Sequence, residues 1–376
     1  MKCHACGADI VPEDIVPVER MVASDCQPVR ANLRLGSCSS CGLVQKEISQ
    51  TWQDSCDSIY ANYRIYHQSA GAEQKSKSQD GQFGPRSALL SMFLRKHAGL
   101  PSAGAVLDIG CGNGAFLRQF RDHFVDWRIA GAELNTSFAE DIRAIAPDAT
   151  FLTLGELAAF SGKFDLITLI HCLEHIPDPV AYLDNLRRLM DGDGLLLVEV
   201  PDAQKNPFDL LIADHASHFS ISALRCIVEA AGFDVLSCGN NVLGKEITLL
   251  ARRAERPARK PVADGGTADF LPSHMAWLDR VRGAAEQLAR RQAIGVFGSS
   301  IAGSWIAAHL DKRLAFFVDE DEARVGRSHM GVPIVAPDNM PRGSVVFICL
   351  EPRLASQIRE KHADKGAELI AAPIVE

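Results

Sequence analysis

The chain has 376 residues, 47% of them hydrophobic and 23% charged, with a formal net charge of −8 and a pI near 5.9. That length is more than one hydrophobic core serves, so two or three domains are expected, and the acidic balance argues against a polyanionic partner such as nucleic acid. No apolar run reaches the ~18 residues that cross a bilayer, and the opening MKCHACGADI lacks the apolar stretch of a signal peptide, so a cytoplasmic protein with no membrane partner is expected.

Near the amino terminus Cys3 and Cys6 form one CxxC pair, CHAC, and Cys38 and Cys41 form another, CSSC, with strand-like IVPVERMV and ANLRLG between them. Two such pairs roughly thirty residues apart suit one tetrahedral zinc ion. Gly7 and Gly42 follow the pairs, where a tight turn needs permissive backbone. Four thiolates close the coordination shell, so this zinc is expected to be structural and His4 is not needed as a ligand. A zinc-ribbon-like domain is assigned to residues 1–56.

Residues 57–100 form a connector or lid with a leading helix. Its polar YANYRIYHQSAGAEQ contains Tyr63, Tyr66 and Gln74, candidates to close over a donor and an acceptor, and SALLSMFLRKHAGL has a helical pattern. From residue 101 to 253 strands and helices alternate, from GAVLDIG and NGAFLRQFRDHF through FDLITLI to GLLLVEV and EITLLARR. Such alternation predicts a parallel sheet covered by helices. Residues 254–270, AERPARKPVADGGTADF, are dense in Pro, Gly, Ala and charge and read as a linker. A second α/β pattern occupies 271–376.

VLDIGCGNGAFL, residues 106–117, carries the clearest chemical signal. An apolar strand ends at Asp108, and Gly110, Cys111, Gly112, Asn113 and Gly114 form a loop before a helix. Glycines let the backbone approach a ligand closely, and the helix start offers free N–H groups. The GxGxG spacing with a preceding acid departs from the dinucleotide pattern GxGxxG. It suits a cationic, amino-acid-bearing nucleoside. Glu133, closing the next strand in IAGAELN, is placed to accept hydrogen bonds from two ribose hydroxyls.

VLDIGCGNG, Glu133 and FDLITLIHCLEHIPDP in this order resemble the class I S-adenosylmethionine-dependent methyltransferases. The resemblance implies that Asp108, Gly110, Cys111, Gly112, Asn113, Gly114, Glu133 and His171 bind S-adenosyl-L-methionine. CHAC with LRLGSCSSCGLVQ, the tyrosine-rich connector and GVFGSSIAGSWIA with FFVDEDEARVGRSHMGVPIV extend the similarity to the sugar C-methyltransferases. That similarity implies a doubly wound Rossmann-like methyltransferase core between a zinc-ribbon-like domain and a second, C-terminal Rossmann-like α/β domain. The implied acceptor is a small molecule, a nucleotide-linked keto-deoxysugar. DHASHFS aligns with a stretch that the family writes with Glu-His, so Asp214 stands one methylene shorter, and NNVLGKEITLLA lacks the His-Gly-Gly of many members.

In a parallel sheet the strand FDLITLI delivers His171, Glu174 and His175 to the ligand crevice at its carboxyl end. A methyl acceptor must be aligned and deprotonated, and imidazole, with an unperturbed pKa of ~6.5, suits the second task. His175 and His215 are candidates for base or orienting group, and Asp214 for holding an imidazole tautomer or contacting a sugar hydroxyl. His171 either packs under the cofactor or takes part directly, and Glu174 either takes part or caps the next helix. His218, Asn206, Asn240 and Lys245 are further candidates, the last three as donors to a developing enolate oxygen. Gly295, Gly298, Gly303 and Asp319 form an irregular glycine loop, a weak nicotinamide signal better read as a degenerate domain. Other readings are O-methylation of a glycan or small metabolite, RNA modification, and a non-catalytic donor-binding scaffold.

Overall fold

The computed structural model describes residues 1–63, 73, 75–78, 81–262 and 269–374. Tyr66, Gln74 and linker residues 263–268 lie outside the described residues. No described helix is long and apolar enough to cross a membrane.

β1 (Ile15–Val22), β2 (Pro28–Ser37) and β3 (Val44–Lys46) form an antiparallel sheet. α1 (Gln50–Asn62) follows, capped by the Ser49 side chain, which accepts from the Trp52 N–H. This helix runs through the boundary expected at residue 56, in a stretch read as an unstructured connector. Its signal is weak because only Trp52 and Cys56, one turn apart, are fully buried.

A short hairpin, β4 (Lys75–Lys77) with β5 (Phe83–Pro85), leads to α2 (Arg86–His97). Then come β6 (Ala103–Ile109), α3 (Ala115–His123), β7 (Asp126–Glu133), α4 (Ala139–Arg143), β8 (Thr150–Thr153), α5 (Leu154–Ala159), β9 (Phe164–Ile170), α6 (Pro179–Leu186) and β10 (Met190–Pro201). The two-residue β11 (Ser217–His218), α7 (Ile221–Ala230), β12 (Phe233–Gly239) and β13 (Glu246–Arg253) complete this part. The seven-stranded sheet has the order β12-β13-β10-β9-β6-β7-β8. β6 to β10 are mutually parallel, and β13 runs against both β10 and β12.

Its central strands are apolar on both faces, as a covered parallel sheet requires. Leu107, Ile109, Ile167, Leu169, Leu196 and Val198 belong to one core. The alternate residues Val106, Leu166, Leu195 and Leu197 belong to another. Strand order reverses between β6 and β9, so the loops after these two strands open the crevice where α/β sheets bind ligands. β11 does not join this sheet. It pairs with β3, Ser217 opposite Gln45 and His218 opposite Val44, and so makes the amino-terminal sheet four-stranded.

The remainder comprises α8 (Leu271–Ala289), β14 (Ile294–Phe297), α9 (Ile301–Leu310), β15 (Leu314–Val318), β16 (Ser328–His329), β17 (Val332–Val335), β18 (Val345–Ile348), α10 (Pro352–Lys361) and β19 (Glu368–Ala371). The sheet order is β16-β17-β15-β14-β18-β19, parallel except for β16. Its glycine loop is tightly packed. A Cβ on Gly303 would lie 1.9 Å from the Gly298 carbonyl oxygen, whereas one on Gly283, exposed in α8, would meet nothing within 4 Å. Gly303→Ala should therefore destabilise by about 3 kcal/mol or more through backbone displacement. Gly283→Ala should stabilise by roughly 0.5–1 kcal/mol from helix propensity. Scanning calorimetry should move the transition of this unit in opposite directions in the two variants.

Candidate functional site

The loop after β6 depends on three left-handed glycines, Gly110 (φ +73°), Gly112 (φ +49°) and Gly114 (φ +77°). Gly114 caps α3 through backbone alone, leaving the helix start uncovered by any capping side chain. Side chains at these glycines would fill the turn. A Cβ on Gly110 would sit 3.1 Å from the Cys172 Cβ, and one on Gly114 2.7 Å from the Ile142 Cδ1. Glu133 reaches this loop from the end of β7, its Oε1 accepting from the Gly112 N–H at 3.0 Å and its Oε2 from the Leu134 N–H at 2.8 Å. Each oxygen keeps a lone pair for a diol. Asp108 lies beneath, 2% exposed, and accepts from the Thr168 hydroxyl at 2.6 Å. Burial raises its carboxyl to about 7, with Thr168 opposing and Glu133 adding to the rise. The glycine turn, the open helix start and the flanking acid fit the nucleoside expected there.

The loop after β9 begins with His171 at φ +50°, a left-handed conformation that is uncommon for a branched ring side chain and marks local strain. Three carboxyl groups surround it. Glu174 Oε1 lies 3.3 Å from Nδ1, and Glu199 Oε1 and Glu246 Oε2 lie 3.6 and 3.4 Å from Nε2. Both oxygens of Glu174 and of Glu199, and Oε2 of Glu246, are buried without a hydrogen-bond partner. Burial pushes Glu174 up to about 8 and Glu199 well above the usual carboxylate range. Glu174 does not cap α6, because Asp178 does, accepting from the Ala181 N–H at 3.0 Å.

His175 and His215 meet edge to face, ring centroids 4.7 Å apart. His175 Nδ1 is 3.0 Å from the Asp214 carbonyl oxygen and 3.1 Å from the Tyr60 hydroxyl. A carbonyl only accepts, so Nδ1 carries the proton and Nε2 the free lone pair. His215 Nδ1 is 2.9 Å from Asp209 Oδ1, which orients that ring in the same sense. Their surroundings drive the two apart. Burial, then the neighbouring His215 charge, depress His175 to about 4. Burial also acts on His215, but Asp209 more than offsets it, with help from Glu174 and Asp214, and its pKa is raised. Of the two imidazoles, His215 is the one that holds a proton more readily.

Among the other expected participants, Asp214 places its Oδ2 3.5 Å from His175 Nδ1. Asp214 has no exposed surface, and its carboxylate accepts from the Ser24 N–H at 2.8 Å and the Ser24 hydroxyl at 2.5 Å. His218, also fully buried, lies between Asp209 and Lys46. Asn240 donates to Asp202 and to the Glu246 carbonyl, so its amide is occupied. Asn206 precedes the 3-10 turn Pro207–Leu211 as its N-cap, and Lys245 and Tyr63 are exposed. Asp209, Lys46, Ser24 and Tyr60 were not singled out from the sequence. Asp209 sits in the otherwise apolar run PFDLL, where a lone charge was the available signal, whereas Lys46, between Gln45 and Glu47, had none.

The four cysteine sulfurs expected to bind metal gather in the amino-terminal sheet, all within 4.8 Å of one another. Cys3–Cys41 and Cys6–Cys38 are 3.6 Å apart, close to the ~3.8 Å edge of a tetrahedron with Zn–S bonds of ~2.3 Å. Gly7 and Gly42, both left-handed, donate to the Cys3 and Cys38 carbonyls and close the two knuckles. His4 instead bonds the Ser217 hydroxyl at 2.9 Å.

Residues 85–238 match a family model described as a methyltransferase domain. The chain is 29% identical over 178 residues to the C-methyltransferase NovU of Streptomyces niveus, covering 44% of this chain and 42% of NovU. It is 30% identical over 101 residues to the ubiquinone biosynthesis O-methyltransferase of Histophilus somni (strain 2336), covering 24% and 42%. It thus spans less than half the length of these relatives. Among solved structures, SAH-bound CalO1, a methyltransferase in calicheamicin biosynthesis, overlaps 45% of this chain and 54% of its own at 23% identity, with a TM-score of 0.37.

The elevated Asp108 sets a pH dependence. A carboxyl that holds its proton more tightly when folded contributes no penalty below the unfolded value. The penalty grows as pH rises toward the folded value of about 7, by at most roughly 1.4 kcal/mol per unit. In ligand-free protein, Asp108→Asn should gain melting temperature relative to the parent as pH is raised from 5 to 8. Parallel melting curves across that range would show that Asp108 titrates as an ordinary carboxylate.

Proposed function

We propose that the chain, whose residues 85–238 form a class I S-adenosylmethionine-dependent methyltransferase domain, methylates a sugar, the sharpest version being C-methylation of a nucleotide-linked keto-deoxysugar. The observation that carries the reading is the glycine turn after β6, bonded by Glu133 of β7 and packed at Gly110 against Cys172 in the loop after β9, whose His175 meets His215 from the segment after β10 edge to face. A polyhydroxylated acceptor is supported by both carboxyl oxygens of Glu174 and Glu199 and Oε2 of Glu246. These form no hydrogen bond beside the His171 ring and, for Glu199, the Arg86 guanidinium at 3.5 Å, and can accept from hydroxyls. Carbon as the methylated atom is supported by the similarity to NovU.

The methyl donor, when bound, supplies a methyl group already activated for in-line displacement. Asp108, the glycine N–H groups and Glu133 would hold it. His215 Nε2 removes the proton from the acceptor carbon beside the ketone. The imidazolium so formed is stabilised by Asp209 at 2.9 Å. His175 stays neutral and presents Nε2 as a fixed acceptor to the substrate. The Tyr60 hydroxyl, whose neighbour His175 Nδ1 is committed to a carbonyl, keeps its proton to donate to the enolate oxygen.

The four-cysteine cluster would hold one zinc ion as a structural element, joining the turn before β1 to the turn between β2 and β3.

With 13C-methyl-labelled donor and a panel of keto-sugar nucleotides, the product should show a C–CH3 carbon shift. An O–CH3 shift would move the reading to O-methylation of a glycan or metabolite. His215→Ala should lower kcat by about 10²–10⁴-fold and leave calorimetric affinity for the demethylated donor within threefold. Native mass spectrometry should find one zinc per chain, lost in Cys38→Ser, and no bound metal in the parent would exclude the structural zinc.

A further inference from the structure

The segment that carries His215 is held by a buried polar chain extending into the amino-terminal sheet. Asp209 divides its carboxylate between two imidazoles, Oδ1 at 2.9 Å from His215 Nδ1 and Oδ2 at 2.7 Å from His218 Nδ1. His218 Nε2 lies 2.9 Å from Lys46 Nζ. Asp209, His218 and Lys46 are all at most 1% exposed, and His215 is 3% exposed. Lys46 also donates to the carbonyls of Ile212 at 2.7 Å, Leu210 at 3.4 Å and His215 at 3.5 Å.

Donor and acceptor capacity fixes every proton in this chain. An ammonium only donates, so His218 Nε2 accepts from Lys46, and His218 Nδ1 must carry the proton given to Asp209 Oδ2. A carboxylate only accepts, so Oδ1 receives the proton on His215 Nδ1. His215 is thereby left with its lone pair on Nε2. An uncompensated carboxylate at this depth would be expensive, and Lys46, lowered by burial to about 8 but supported by Asp209 and Asp214, is the opposite charge at neutral pH.

We propose that Asp209 is a positioning residue for methyl transfer, holding His215 as the Nδ1–H tautomer and itself locked by His218 and Lys46. This rests on the reading of His215 as the base, and it adds a residue that touches neither donor nor acceptor. The charged and titratable groups facing His215 are Asp209 and His218 on its own segment, His171, Glu174 and His175 from the loop after β9, Glu246 of β13, and Asp214 beside it. The Asp214 carboxylate is taken up by two Ser24 hydrogen bonds, and the Glu174 carboxyl oxygens form no hydrogen bond. Asp209 is therefore the one of these acids bonded directly to the ring.

The test uses full-length, metal-loaded protein labelled with 15N-histidine, saturated with the demethylated donor. Long-range 1H–15N spectra of the parent should show His215 as the Nδ1–H tautomer, titrating above 6.5. In Asp209→Asn that titration should fall by at least one unit, and mixed tautomers should appear. Methyl transfer to the keto-sugar nucleotide panel should drop by about 10²-fold or more in kcat with donor KM within threefold. The acid limb of the pH profile, where the base must lose its proton, should move to lower pH. Asp209→Glu, which keeps the charge, should recover part of the signature and of the rate. Donor-product affinity by calorimetry reports that each variant is folded. An unchanged His215 tautomer and titration in folded Asp209→Asn would overturn the proposal. Full methyl transfer by His215→Ala would instead overturn the base assignment beneath it, and the two results are read independently.

Discussion

The short pairing of β11 with β3 is the contact on which the site's geometry depends. Two residues, Ser217 and His218, leave the central part of the chain to become the edge strand of the amino-terminal sheet. The Lys46 N–H donates to the Ala216 carbonyl and the Ala213 N–H to the Val22 carbonyl, so the backbone between is tied at both ends. The Trp52 indole N–H adds a bond to the Ala213 carbonyl at 3.0 Å. A loop carrying a base is ordinarily mobile on the scale of its own backbone fluctuations. Here the segment is tied to the amino-terminal sheet on both sides of His215. The four-cysteine cluster lies at the ends of the same sheet, in the turns before β1 and between β2 and β3.

The central sheet supplies a different constraint, which is electrostatic. Asp108, Glu174 and Glu199 are at most 2% exposed, and each is displaced upward by burial. The folded chain carries these groups at a cost to its own stability. Such a cost is expected where buried polar atoms await a ligand that will bond them. The strained His171 lies at the centre of the same cluster. Destabilisation is concentrated between β9, β10 and β13, beside the glycine turn, while the hydrophobic faces behind the sheet are closed and regular.

Much of this was legible in the sequence where the signal was local. The glycines of VLDIGCGNG are required by backbone conformations that other residues avoid, and the two CxxC pairs place four sulfurs by turn geometry alone. The apolar strands were readable for the same reason, since both faces of a parallel sheet must be buried. What was not legible is long-range. Asp209 acquires its role from His218 nine residues on and Lys46 far upstream, and no spacing announces that triangle. Acids and imidazoles clustered in DHASHFS make Asp214 read as a catalytic candidate and His218 as a substrate contact, and their hydrogen-bond partners Ser24 and Lys46 come from far upstream in the chain. α1 escaped notice because its buried stripe is narrow and its exposed face is polar.

The carboxy-terminal unit completes the grip on the site segment from the opposite side. Its glycine loop is filled by the protein itself. Asp319, where a ribose acid would stand, accepts from the Ser299 N–H and hydroxyl and pairs with Arg324 at 3.3 Å, and the Phe316 ring would clash with any side chain at Gly295. Its helices, by contrast, face inward. Trp277 of α8 and Trp305 of α9 flank Phe208 at 5.3 and 6.3 Å, and the Trp305 indole donates to the Arg20 carbonyl of β1. Phe208 precedes Asp209, so the residue that orients His215 has an aromatic anchor directly before it in the chain. One hydrophobic core runs from β1 through the 207–213 turn into α8 and α9. Three sheets are thereby made to share a single short segment. A change in any of the surrounding packing would reach the imidazole pair through Phe208 and Asp209 rather than through the donor crevice.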